Sequence, residues 1–224
     1  MSFGASSAIS TPRLWPCAPC ALDEPFLFVF GFDTQPETDR ITKHEFQMFP
    51  KLTLVLGGAA SGKTAWAERL VLGSGLVPVY LATAQAWDAE MQAKITRHRK
   101  IRGTAWHTIE APLDLVSPLE QAGAGHAILL DCATLWLSNH LLAEHDLGAE
   151  GTALLRALSL CKAPVVVVSN EVGAGIVPDN AMARRFRQAQ GELNQRLAEK
   201  ADLAVAVMAG LPLVLKGQIP GVQG

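Results

Sequence analysis

From residue 51 onward, short unbroken apolar runs alternate with segments in which apolar residues recur at helical spacing. Residues 52–56, 77–81, 126–131 and 164–169 are runs of five or six mostly aliphatic residues ending at Gly, Ala, Asp or Asn. Their length and β-branched content predict buried strands rather than buried helices. A shorter run at 106–109 predicts a strand leading to Glu110, and 203–208 with 211–215 complete the set. Between the strands, helices are expected over about 63–72, 88–100, from Leu113, over 134–142, 154–160 and 180–201. In the helix 88–100, Met91 and Ile95 lie one turn apart on the buried side, and the helix 180–201 carries Arg184, Arg185, Arg187 and Arg196. Such alternation predicts an α/β fold with a mostly parallel central sheet and helices on both faces.

The first fifty residues do not share this pattern. Seven of the eight phenylalanines fall at or before Phe49, and residues 1–20 are rich in Ser, Pro and Ala without a period. The domain organisation expected is an N-terminal extension over 1–47, an α/β domain over 48–216 and a flexible Gly/Pro/Gln-rich tail over 217–224. Met48 lies four residues before the first strand, so a natural start there is expected, leaving 177 residues (224 less 47). The alternative is a genuine arm that adds a strand, with Phe26 to Phe32 packing on a neighbour. N-terminal sequencing of the native gene product tests this, and an intact Met1 end would refute a start at Met48.

Composition narrows the function classes. Hydrophobic residues make up 49% and charged residues 18%, and the formal net charge is −2. Such a chain has no general electrostatic drive toward nucleic acid or anionic membrane, and no run approaches the ~20 apolar residues of a membrane span. A soluble, cytoplasmic protein is expected. Cys132 and Cys161 lie in apolar surroundings and read as reduced core thiols. Cys17-Ala-Pro-Cys20 has the spacing of half a zinc site or a redox pair, but no second pair or nearby histidine completes it and its Pro-rich neighbours argue against a βαβ context.

The chemistry centres on Gly57-Gly-Ala-Ala-Ser-Gly-Lys-Thr64, which follows the strand 52–56 and precedes a helix. This is the phosphate-loop pattern in its required strand–loop–helix setting. Glycines at 57 and 62 let successive N–H groups curl around an anion, and the helix N-terminus adds its positive end. Lys63 is expected to reach the β- and γ-phosphates, and the Thr64 hydroxyl to ligate Mg²⁺. Asp131 ends a buried strand, where phosphate-loop enzymes place a carboxylate for Mg²⁺; the alternative is an N-cap for the helix 134–142. His98 shares the face of Met91 and Ile95, amid Lys94, Arg97, Arg99, Lys100 and Arg102. Neighbouring cations favour a neutral, nucleophilic imidazole and suit a second set of phosphates. The other explanation of that cluster is a solvated basic helix end favoured by the helix dipole.

These blocks together resemble the bifunctional adenosylcobinamide kinase/adenosylcobinamide-phosphate guanylyltransferases of cobalamin biosynthesis. The resemblance rests on the phosphate loop, Tyr80-Leu-Ala-Thr-Ala84, Asp88-x-Glu-Met91, Ile95-x-x-His98-Arg, Trp106-x-Thr-x-Glu110 and Asp131-Cys-x-Thr-Leu-Trp-Leu-Ser-Asn139. It is most distinctive in Ser169-Asn-Glu-Val-Gly-x-Gly-Ile-Val-Pro-Asp-Asn180 and its continuation through Arg187 to Leu193-Asn-Gln. It implies a RecA-like phosphate-loop fold, phosphorylation of adenosylcobinamide by ATP or GTP, and GMP transfer from GTP to adenosylcobinamide phosphate. His98 matches the family nucleophile that carries GMP. Nucleotide contacts carry over to Gly57, Gly58, Ala59, Ala60, Ser61, Gly62, Lys63 and Thr64. They extend to Ala82, Thr83, Ala84, Arg99, Lys100, Ile101, Arg102, Glu110 and Asp131, with Mg²⁺ at Thr64 and Asp131. A homotrimer is implied, and the loop after Asn170, with an inter-subunit cleft, is expected to meet the corrinoid. Two departures bear on nucleotide preference: Ala60 stands where the family often has Arg, and Gly103 where it usually has Pro. The competing readings are a monofunctional small-molecule kinase, which needs no nucleophilic histidine, and a nucleotide-binding switch module.

Overall fold

The computed structural model describes residues 49–85 and 105–221. The expectations for residues 1–47, for the helix 88–100 and for Cys17 and Cys20 lie outside the described residues. The strands are β1 (Leu52–Gly57), β2 (Val77–Ala82), β3 (His107–Glu110), β4 (His126–Asp131), β5 (Val165–Asn170), β6 (Leu203–Met208) and β7 (Leu211–Lys216). The helices are α1 (Lys63–Leu72), α2 (Val116–Gln121), α3 (Ala133–Leu142), α4 (Leu147–Leu160) and α5 (Ala181–Lys200).

The strands form one sheet in the order β3-β2-β4-β5-β1-β6-β7. All neighbours are parallel except β6 and β7, which are antiparallel. β5 lies between β4 and β1, and Val165 through Val168 are each 0% exposed. An unbroken valine run is what a strand covered on both faces requires, and each buried valine contributes roughly 1.5–3 kcal/mol by leaving water.

Because side chains alternate across a strand, the sheet carries two separate apolar layers. Leu54, Leu81, Ile128, Leu130, Val165 and Val167 pack with Leu119 of α2, Trp136 of α3, Leu154 of α4 and Leu197 of α5. On the other face, Val55, Tyr80, Leu129, Val166 and Val168 pack with Trp66, Ala67 and Val71 of α1. The phosphate-loop helix therefore stands alone, among the described helices, on its own side of the sheet.

Several boundaries differ from expectation for local reasons. The helix expected from Leu113 starts at Val116. The carbonyl of Leu113 is taken instead by the indole Nε1–H of Trp136 at 2.8 Å, and the Asp114 carboxylate accepts from Ser117 N at 3.0 Å. Helix α4 begins two turns before residue 154, at Leu147, where Asp146 Oδ1 accepts from Gly148 N and Ala149 N at 2.9 and 3.2 Å. Gly148 and Gly151 hid those turns, since glycine is a poor helix former. Gly151 is used for packing: a Cβ there would sit 3.2 Å from Arg196 Nη1. β6 and β7 join through Ala209 and Gly210, at φ 51 and 80; positive φ at both central residues fits a type I′ hairpin turn. The tail expected to be flexible from Gly217 packs Ile219, half-buried, against the α1-side layer.

Candidate active site

The phosphate loop is shaped by close approaches that only glycine permits. A Cβ on Gly57 would lie 2.4 Å from Ser61 Oγ and 2.6 Å from the carbonyl of Val207. Gly62, at φ 90, is the N-cap of α1, and a Cβ there would lie 3.0 Å from Gly210 Cα. No side chain caps α1, so its first-turn N–H groups keep their capacity to bind an anion. Two neighbours clasp the loop: Gly210 N donates to Ser61 O at 2.8 Å, and Glu171 N donates to Gly57 O at 3.1 Å. Ala60 occupies the left-handed region at φ 55.

Lys63 is only 9% exposed and donates from Nζ to Gly58 O at 3.0 Å, so its ammonium lies across the loop. Ser61 Oγ is buried without a hydrogen-bond partner, an orphan that a phosphate oxygen or a metal-bound water would satisfy. Asp131 ends β4 beside Ala82, which pairs in turn with Glu110. Gly57 pairs with Asn170. These strand ends lie along the carboxyl edge of the sheet, where open α/β sheets bind ligands.

The Tyr80 hydroxyl donates to the Asp131 carboxylate, fixing one oxygen on the α1 side of the sheet. Asp131 does not cap α3: the N-cap is Cys132, without a side-chain cap bond. The Asp131–Cys132 peptide is cis and is bracketed by Thr83, whose Oγ1 accepts from Cys132 N at 2.7 Å and donates to Cys132 O at 2.9 Å. Thr64, Ser61 and Asp131 offer oxygen donors, the type magnesium takes. With the orphaned Ser61 hydroxyl among them, these residues fit Mg²⁺.

Thr83 has no polar group to spare, for its N–H donates to Asp131 O at 3.2 Å and its carbonyl accepts from Asn139 Nδ2 at 2.9 Å. Its side chain holds Cys132 and its backbone N–H holds the carbonyl of Asp131. Ala82 is buried, Ala84 half-buried and Glu110 exposed at the end of β3. His98, Arg99, Lys100, Ile101 and Arg102 lie outside the described residues.

Burial pushes the Cys132 thiol up to about 11, with the Asp131 charge adding to the shift. Both described cysteines are free and buried.

Some functional positions carried no assignment in the sequence. Besides Tyr80 and Asn139, a buried polar network holds Asn170. Gln190 Nε2 donates to Ser169 Oγ and to Asn194 Oδ1, each at 2.9 Å. Asn194 Nδ2 donates to Asn170 O at 3.1 Å, and Asn170 N donates to Thr134 Oγ1 at 2.7 Å. The available signal was polar residues at i and i+4 on the apolar stripe of α5. Arg184 donates to the carbonyls of Pro178 and Asp179, and Arg187 to that of Gly173, so α5 holds the loop 171–180. Arg187 Nη1 is buried without a partner.

The family model for cobinamide kinase / cobinamide phosphate guanyltransferase matches residues 53–215. The chain belongs to this family. It is similar to the bifunctional adenosylcobalamin biosynthesis protein CobP of Pseudomonas aeruginosa, at 45% identity over 168 residues, covering 74% of this chain and 97% of that one. The corresponding CobU proteins of Salmonella typhimurium and Escherichia coli are 39% and 36% identical, each over 74% of this chain and 99% of theirs. Among solved structures, the RadB recombinase is similar at a TM-score of 0.43 and 20% identity, over 69% of this chain and 73% of that one. An ATPase from a bacterial type III secretion system is similar at a TM-score of 0.45 and 9% identity, over 73% and 56%.

Proposed function

We propose that this protein phosphorylates adenosylcobinamide with ATP or GTP and then transfers GMP from GTP to the product, giving adenosylcobinamide-GDP and pyrophosphate. The observation that carries this is the built phosphate loop: glycine-only approaches at 57 and 62, a buried Lys63, and an Asp131 carboxylate held on the side of α1. Family membership supplies the substrate class.

In the kinase step, the substrate hydroxyl attacks the γ-phosphorus, the bond to the β-bridging oxygen breaks, and the nucleoside diphosphate leaves. Loop amides and Lys63 bind the phosphates and offset charge that develops on them. Thr64 and Asp131 would hold Mg²⁺, which when bound neutralises phosphate charge. Arg187, with its unpartnered Nη1 beside the loop 171–180, is assigned to the corrinoid side as a donor to the substrate phosphate.

In the guanylyl step, a ring nitrogen of His98 attacks the α-phosphorus of GTP. A P–N bond forms, the α–β bridging bond breaks and pyrophosphate departs. A phosphate oxygen of adenosylcobinamide phosphate then displaces His98, breaking the P–N bond. Covalent catalysis of this kind divides one displacement into two easier ones. Arg99 and Arg102 are assigned to the transferring phosphate, and Ala82, Ala84, Lys100, Ile101 and Glu110 to the remainder of the nucleotide. The protein is assigned to the cytoplasm as a homotrimer. The exposed apolar residues Leu211, Leu213 and Leu215 of the edge strand β7 support the assembly, and no described helix is long and apolar enough to cross a membrane.

The test is intact-protein mass spectrometry after incubation with GTP and Mg²⁺. An acid-labile GMP-sized adduct is expected on the wild type and absent from His98→Ala. No adduct on a wild type that still binds GTP would overturn the transferase half.

A further inference from the structure

On the face of the sheet opposite the phosphate loop, two histidines and a glutamate converge where α3 passes into α4. His140 is 3% exposed, and its Nδ1 lies 2.8 Å from Nδ1 of His145. The Glu150 carboxylate oxygens lie 3.8 Å from His140 Nδ1 and 3.9 Å from His145 Nδ1.

Backbone geometry creates the convergence. Glu144 takes the left-handed conformation at φ 59, Glu144 N donates to Leu141 O at 3.1 Å, and His145 N donates to His140 O at 3.0 Å. This is a Schellman ending, and its outer bond sets His145 beside His140. A glutamate at the position that favours glycine carries strain, and such strain collects at functional sites. Asp146 then caps α4, which brings Glu150, in the first turn, back toward the pair.

The tautomers follow from the partners. His140 Nε2 faces the carbonyl of Leu113 at 3.2 Å, so it carries the hydrogen. In the neutral ring Nδ1 then presents a bare lone pair, and His145 Nδ1 must supply the proton between the two nitrogens. A backbone carbonyl accepting from the far ring N–H is a usual second partner of a metal-ligating histidine. With Zn–N and Zn–O near 2.0–2.2 Å, a tetrahedral ion holds its ligand atoms about 3.3 Å apart. The observed 2.8, 3.8 and 3.9 Å bracket that spacing.

We propose that His140 Nδ1, His145 Nδ1 and Glu150 bind a divalent transition-metal ion of the zinc class. The ion replaces the proton shared by the two rings, and His145, 42% exposed, carries its hydrogen on Nε2 toward water. His140 and Glu150 also line a cavity of about 250 Å³ with Trp136, Leu154 and Asp114, leaving room for a further ligand. Two imidazoles and one carboxylate select Zn²⁺ over Mg²⁺, which prefers oxygen alone. The site lies in the α2–α5 layer, apart from the nucleotide, and would clamp α3 to α4.

Calorimetric titration with Zn²⁺ tests this on the untagged full chain carrying Cys17→Ser and Cys20→Ser, which removes the competing thiols. One saturable site is expected, weakened at least about tenfold by His145→Ala and by Glu150→Gln. Zn²⁺ is also expected to raise the melting midpoint of the parent but not of His145→Ala. Absence of saturable binding in the parent, or parent-like affinity in either variant, would overturn the proposal. His145 is exposed and Glu150 partly so, and unchanged metal-free melting would establish that the variants remain folded.

Discussion

Cys132 sits immediately after the acidic end of β4 and is 5% exposed, which makes its thiol a built-in reporter of the site's integrity. Its ordinary value of 9.0 is raised to about 11 by burial first and by Asp131 second. Because the folded value is the higher one, the stabilisation is complete below pH 9 and is lost as pH rises toward 11. In that window the unfolded thiol ionises while the folded one stays neutral. By pH 10 the loss is on the order of 1 kcal/mol. Urea unfolding at pH 8 and pH 10 should show a smaller drop for Cys132→Ala than for wild type, and equal drops would contradict the assignment. The shape of the neighbouring phosphate loop was legible, because the glycines at 57 and 62 and Lys63 lie within one short stretch. Thr83 and Tyr80 were not, because their side chains act on Cys132 and Asp131, 49 and 51 positions away. No local pattern encodes such a pairing.

Among the elements, α5 does the most to hold the loop 171–180, the segment proposed to meet the corrinoid. Asn180 Oδ1 accepts from Ala183 N at 2.7 Å, and the arginines of the next two turns hold the carbonyls of the loop 171–180. Asn180→Ala should lower stability by about 1 kcal/mol. It should also raise the KM for cobinamide more than that for GTP, which steady-state kinetics would read. Equal changes in the two constants would detach α5 from the corrinoid side. Strands were the most legible elements, since a buried parallel strand announces itself as an aliphatic run such as 164–169. The starts of α2 and α4 were obscured: Leu113 is drawn out of helix by Trp136, and glycines interrupt the first turns of α4.

For the whole molecule, the alternation of strands and helices was enough to give the class and the parallel sheet. It could not give the antiparallel return of β7, whose leucines at 211, 213 and 215 are exposed. If the proposed trimer assembles through β7, sedimentation of Leu213→Lys with Leu215→Lys should show a shift toward monomer relative to the wild type, and an unchanged profile would place the contact elsewhere. The turn that presents β7 is also the clasp on the phosphate loop, through Gly210 N and Ser61 O. If subunits meet along β7, as proposed, assembly and nucleotide draw on the same few peptide groups. The two equilibria are then coupled, and the coupling is reciprocal: GTP changes the association constant by the same factor by which association changes the affinity for GTP. Cellular protein concentration would thereby set how tightly each loop holds its nucleotide.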